Sequence, residues 1–199
     1  MRFCLSEIRP WDTKMAAGTD INGPAVLSFH RDCRCMPGAC KCCCYQEVTV
    51  QDGAGTPLGG IIEKFWYCVP NYGVYSSPGQ FTYDVHQPSC CNGMCVNCCA
   101  QGLCNCRIPF YLYTPDGDET TAALSSKSTP VPGMEKEVPK AQITKIWTNL
   151  EQELFTDADT FEVRCPDNSD VPDKARMIAA TLLINQLYFE RSKNDITPA

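Results

Sequence analysis

The chain has 199 residues, 44 % of them apolar and 20 % charged, with a formal charge of −6. Such a balance describes one soluble globular domain over 1–199 with a sizeable core, and argues against a disordered or membrane-spanning polypeptide. The acidic excess provides no global attraction to nucleic acid, so no nucleic-acid partner is expected, and an anionic membrane surface would repel the chain on average.

In chain order, RFCLSEI (Arg2–Ile8) is a short candidate strand. The start MRFCLSEIRPWDTK lacks the apolar core of a secretory signal, and no apolar run reaches the roughly 20 residues of a spanning helix. The chain therefore reads as cytosolic or as lying on the cytosolic side of a membrane. PAVLSFHR (Pro24–Arg31) is a second candidate strand. CYQEVTVQ (Cys44–Gln51) alternates apolar and polar residues, as a half-buried strand does. The glycine-rich DGAGTPLGG reads as a loop, and IIEKFWYC (Ile61–Cys68) as the next strand. YGVYS and FTYDVH flank SPGQ, which predicts a hairpin. RIPFYLYT (Arg107–Thr114) is followed by the turn PDGDE, after which ETTAALSS is expected to pair back. KSTPVPGMEKEVPK (Lys127–Lys140), with three prolines, reads as a mobile insertion. QITKIWT and TFEVRC complete the series. Strands this closely spaced predict a mainly β fold, an antiparallel barrel or sandwich.

The C-terminal segment changes period. A helix is expected over about residues 173–192, with Pro172 and Asp173 at its positive end and Arg191 and Lys193 at its negative end. Met177, Ile178, Leu182, Leu183, Ile184, Leu187 and Phe189 make it apolar almost all round, broken by Asn185 and Gln186. Thirteen residues rise only about 20 Å, short of the roughly 30 Å hydrocarbon layer. Burial inside the protein, as a plug in a barrel, is expected over burial in lipid.

Sixteen cysteines in a chain without a secretory signal point to metal, acylation or redox chemistry before disulfides. Cys42, Cys43 and Cys44 are consecutive, with Cα atoms about 3.8 Å apart, too close to pair with one another. These three form a run of adjacent acceptors suited to S-palmitoylation, in which two or more chains make anchoring stable. The same region can be read as a metal site using the pairs Cys33/Cys35 and Cys40/Cys42, or as reduced, semi-buried thiols. In a second cluster, Cys95-x-x-Cys98 followed by Cys104-x-Cys106 resembles a compact zinc loop with a short spacer, against the plain reading of a thiol-rich hairpin. His86 is near enough in sequence to Cys90 to be a ligand, although it and His30 sit in strand-like stretches.

FTDADTFEVRCPDN (Phe155–Asn168) opens like a calcium loop. Counted from Asp157 as an EF-hand, however, position five is Phe161, Glu162 replaces the glycine at six, and Asn168 replaces the glutamate at twelve. Phe161–Cys165 also alternates like a strand. What remains is a weak, non-EF calcium site using Asp157, Asp159 and Asp167, with Asn168 closing the segment. Its affinity class would be about 10⁻⁴–10⁻³ M.

From Ile143 to Arg191 the sequence resembles the C-terminal part of the phospholipid scramblases. The run Trp147, Glu153, Phe155–Asp159, Phe161, Pro166, Lys174, Met177-Ile178 and Phe189-Glu190 carries the likeness. Farther back, CKCCCYQEVTVQ, a glycine- and proline-rich turn and a tryptophan-bearing strand ending at Cys68 match as well, as does the cysteine cluster from Cys90. The resemblance spans about Pro24 to Arg191 with gaps. It implies a Tubby-like fold, about twelve strands closed around a central hydrophobic helix. It also implies palmitoylation at Cys40, Cys42, Cys43 and Cys44, a calcium segment from Asp157 to Asn168, and calcium-stimulated, ATP-independent movement of phospholipids between leaflets. Against that pattern the first strands are missing, which would leave the barrel incomplete with open edges.

Two further readings stand beside scrambling. One is a palmitoyl-anchored module on the cytosolic face of the plasma membrane or an internal membrane that binds lipid or protein. The other is a zinc-stabilised scaffold built on Cys95, Cys98, Cys104 and Cys106. A single short helix cannot form a polar path through hydrocarbon alone, so direct transport requires a homo-oligomer, a protein partner or exposure of the helix. No nucleophile motif, phosphate loop or general base is visible, and covalent catalysis is not expected.

Overall fold

The computed structural model describes residues 10–18, 23–34, 43–87, 108–115, 141–146 and 160–189. Among these described residues nine strands form one sheet in sequence order, each pairing antiparallel with the next. They are β1 (Trp11–Ala16), β2 (Ala25–Arg31), β3 (Glu47–Asp52), β4 (Pro57–Glu63), β5 (Asn71–Ser76), β6 (Phe81–His86), β7 (Ile108–Tyr113), β8 (Gln142–Ile146) and β9 (Thr160–Arg164). A helix, α1 (Val171–Ile184), follows and continues into a π-helical turn, Asn185–Phe189. The mainly β, antiparallel fold with a C-terminal hydrophobic helix expected from strand spacing is thus present.

Alternation along each strand sends one set of side chains inward. Phe29, Val48, Val50, Ile61, Tyr72, Val74, Val85, Phe110, Leu112 and Ile143 make a single core with Met177, Leu183 and Ile184 of α1. The helix packs on β3, β4 and β5 and also on β9. Strands lie about 4.8 Å apart, so in a flat sheet β5 and β9 would be about 19 Å apart, too far for one helix about 10 Å across to touch both. The sheet therefore curls around α1.

The curl does not close, as expected of an incomplete barrel with open edges, and the full closure of the Tubby-like pattern is absent among the described residues. β1 and β9 are the two edges of an open sheet, and among the described residues neither pairs with a further strand. Both edges carry charge, exposed Asp12 and Lys14 on β1 and the 2.9 Å Glu162–Arg164 pair on β9, which disfavours edge-to-edge association. α1 accordingly has an inner and an outer side. Met177, Leu183 and Ile184 are fully buried, whereas Ile178 and Leu182, four residues apart on one face, are only half-buried. The apolar helix is a plug covered on most sides rather than all round.

Local chemistry explains the helix ends. Asp170 caps α1, accepting from the Asp173 N–H at 2.7 Å, while the Asp173 carboxylate accepts the Asp170 N–H at 3.5 Å, a reciprocal capping box. Arg176, buried on this turn, donates to the Leu58 carbonyl at 2.7 Å and to Asp173. The helix therefore begins at Val171, nearly two turns before its apolar run at Met177.

Two expectations shift along the chain. β4 begins at Pro57, inside the stretch read as a glycine loop, and stops at Glu63 instead of Cys68. Gly60 lies within the strand because the neighbouring backbone is close: a Cβ there would meet the Val48 carbonyl oxygen at 2.3 Å. The actual turn is tighter, closed by the Asp52 carboxylate accepting from Ala54 and Thr56 N–H at 2.9 and 2.7 Å. β1 was not anticipated, since WDTKMA is exposed at four consecutive positions and shows no apolar alternation. Arg2–Ile8, ETTAALSS, the insertion Lys127–Lys140 and the basic residues Arg191 and Lys193 fall outside the described residues.

Candidate functional site

Register fixes which connections share an end of the sheet. Trp11 pairs with Arg31, Glu47 with Ile62, Glu63 with Tyr72, Asn71 with His86, Ile108 with Lys145 and Ile146 with Thr160. One end therefore carries the β2–β3, β4–β5, β6–β7 and β8–β9 connections. All sixteen cysteines except Cys4, before β1, and Cys165, after β9, lie in connections that leave this end. Cys33, Cys43 and Cys68 are exposed and Cys44, with φ 59°, is half-buried.

Beneath this end the inward face turns polar. Arg31, Gln46 and Glu63 are almost completely buried. Arg31 Nη2 donates to Gln46 Oε1, and the Gln46 backbone N–H donates to Glu63 Oε2 at 3.0 Å. The other carboxylate oxygen of Glu63 accepts from Trp66 Nε1 at 2.9 Å. Charged groups withdrawn from water persist when hydrogen-bonded in this way. The π-helical turn of the C-terminal helix docks on the same region: the Tyr72 hydroxyl donates to Tyr188 at 2.9 Å, and Trp11 Nε1 donates to Gln186. Burial pushes the Tyr72 phenol well above the ordinary tyrosine range, reinforced by Tyr188 and the charge of Glu63. The helix thus starts at the opposite end of the sheet and delivers its C-terminus to the cysteine-bearing end.

None of these network residues was given a role from sequence, and Gln186 was noted only as a break in the apolar helix. One signal was available: Leu27, Phe29 and Arg31 share the inward phase of β2, which placed an arginine where a core residue belongs.

On the outer face His30 lies between two carboxylates, Nδ1 2.6 Å from Asp12 and Nε2 3.1 Å from Asp32. The hydrogen bond to Asp12, then that to Asp32, raises its pKa above 6.5. A raised pKa means that the stabilisation of β1 against β2 is fully present below pH 6.5 and is lost as pH rises through the native value. An NMR titration should find the His30 midpoint above 6.5 and Asp12→Asn moving it back down. The second histidine, His86, is distinguishable by its ring stacked 4.0 Å from Tyr113.

The structure separates the sequence-predicted residues. Asp157 and Asp159 lie outside the described residues, before Thr160 in sequence. Asp167 and Asn168 form a turn beyond the other end of β9, where the Ser169 N–H and hydroxyl both donate to the Pro166 carbonyl, at 3.1 and 2.8 Å. Five residues of extended strand separate the two groups, about 13 Å from the first Cα to the last. Of the acylation candidates, Cys43 and Cys44 are described and Cys40 and Cys42 are not; Cys95, Cys98, Cys104 and Cys106 are also outside the described residues. Among the described residues no three His, Cys, Asp or Glu side chains are grouped to hold a metal ion, and no helix is long and apolar enough to cross a membrane.

Comparison with known proteins agrees with the resemblance seen in the residues. The Scramblase family model matches residues 1–101 and 116–191, and the chain belongs to that family. Phospholipid scramblase 1 of Rattus norvegicus is 29 % identical over 194 residues, covering 98 % of this chain and 48 % of the relative. Human phospholipid scramblase 2 is 25 % identical over 193 residues, covering 97 % and 54 %, and human phospholipid scramblase family member 5 is 27 % identical over 175 residues, covering 87 % and 53 %. The chain thus spans about half the length of the curated relatives it matches. No solved structure matches it significantly.

Proposed function

We propose that this protein acts on membrane phospholipids, moving them in both directions between leaflets without ATP and without covalent chemistry, in response to calcium. The observation that carries this reading is the family match over most of the chain, with relatives named as phospholipid scramblases. Calcium would bind weakly near Asp157 and Asp159, with Asp167 and Asn168 contributing only if β9 rearranges, because that strand lies between the two groups. Acyl chains on Cys40, Cys42, Cys43 and Cys44 would hold the sheet at the cytosolic face of the plasma membrane or of an internal membrane, and exposure of Cys43 suits that role. A zinc ion held by Cys95, Cys98, Cys104 and Cys106 would organise the β6–β7 connection. Transport through a homo-oligomer or with a protein partner fits the short helix.

A second reading, an acyl-anchored lipid- or protein-binding module without transport, is favoured by one observation. The apolar helix is occupied by the core, with Met177, Leu183 and Ile184 fully buried. It rises only about 21 Å and offers no polar path. Purified chain reconstituted into vesicles with a fluorescent lipid and external dithionite separates the two. Bleaching of the inner-leaflet probe that quickens with calcium supports transport; a rate equal to protein-free vesicles leaves the binding module.

A further inference from the structure

The β4–β5 connection, Lys64-Phe-Trp-Tyr-Cys-Val-Pro70, expected to be strand as far as Cys68, is instead a loop at the cysteine-bearing end. Its base is fixed. The Lys64 N–H donates to the Asn71 carbonyl at 2.8 Å, Trp66 is tied to buried Glu63, and Pro70 is buried. Its tip points the other way: Phe65 is 61 % and Tyr67 75 % exposed, among the most exposed large apolar side chains described. A chain with an unfilled core would bury such rings; here they are held in solvent by a closed hairpin base. The segment contains no acidic residue, although the chain is acidic overall.

We propose that this loop is a membrane-docking element, with Phe65 and Tyr67 entering the interfacial layer of a phospholipid surface and the strands meeting that surface end-on. Phe, Trp and Tyr together are the side chains suited to that layer, where a ring can sit among acyl chains while its polar edge stays wet. Position adds an independent argument. Exposed Cys33 and Cys43 leave the same end of the sheet, so any acyl chains there would enter the same surface as the rings. A few aromatic side chains give weak, reversible binding, which becomes stable when an acyl chain adds a second contact. The proposal takes its partner from the phospholipid reading above but does not depend on transport or on calcium.

The test uses full-length chain purified without acylation and phosphatidylcholine vesicles, with and without phosphatidylserine, in a co-sedimentation assay. Wild-type chain should bind both, with little change on adding salt, because the contact is apolar. Phe65→Ser with Tyr67→Ser should lower partitioning about tenfold, and Phe65→Trp with Tyr67→Trp should keep it. Brominated lipid should quench wild-type fluorescence and lose most of that effect in Trp66→Phe. The proposal is overturned if the serine pair binds as wild type does, if wild type binds neither vesicle, or if the pair instead abolishes self-association in solution. Failure of lipid transport with vesicle binding intact would remove scrambling and leave this docking surface standing.

Discussion

Leu183→Ala should destabilise the protein by about 3 kcal/mol, lowering the melting midpoint by roughly 6–12 °C. Leu183 is fully buried in the single core, among side chains contributed by the helix and several strands. Removing its terminal carbons loses their burial and leaves a cavity that the curled sheet cannot fill without moving several strands at once. Leu182→Ala is the matched control. Leu182 is half-buried on the open side of the helix, so its truncation should cost about 1 kcal/mol. Thermal or urea unfolding of both variants measures the difference. Equal losses would mean that the helix is enclosed on both sides, contrary to the open sheet.

The second large effect is expected at Glu63. Glu63→Ala deprives the buried Gln46 N–H and the Trp66 indole N–H of their acceptor beside a buried arginine, at a cost of about 3 kcal/mol. Glu63→Gln keeps one acceptor oxygen and should lose about half as much. Because Trp66 belongs to the aromatic loop, Glu63→Ala should also shift tryptophan emission toward that of a solvated indole. Denaturation midpoints read the first effect and fluorescence the second. A Glu63→Ala protein as stable as wild type would show that the network is not what fixes the loop base.

Much of the fold was legible because half-buried strands advertise themselves. Val48 and Val50, or Phe110 and Leu112, alternate with outward residues, and the register repeats that alternation. The greasy run from Met177 to Phe189 likewise announced a buried helix, since length alone separates a core helix from a membrane span. β1 was silent because an edge strand with exposed side chains has no pattern. The Phe65–Cys68 stretch misled for the opposite reason: aromatic residues that favour strands here form a loop, held by a hydrogen bond from Trp66 to Glu63 that sequence spacing does not encode.

What the residues determined alone was the class of fold, the family, and the chemistry available: thiols in two clusters, a few carboxylates, one apolar helix. Tertiary structure decided the arrangement. Antiparallel pairing in strict sequence order returns every second connection to the same end, so cysteines far apart along the chain leave one end of the sheet with Phe65 and Tyr67, while β9 divides Asp159 from Asp167. Curling of the sheet around the helix likewise sank Arg31 and Glu63 beneath that end. Register and curvature are long-range properties, set by which strands meet, and no local pattern of residues carries them.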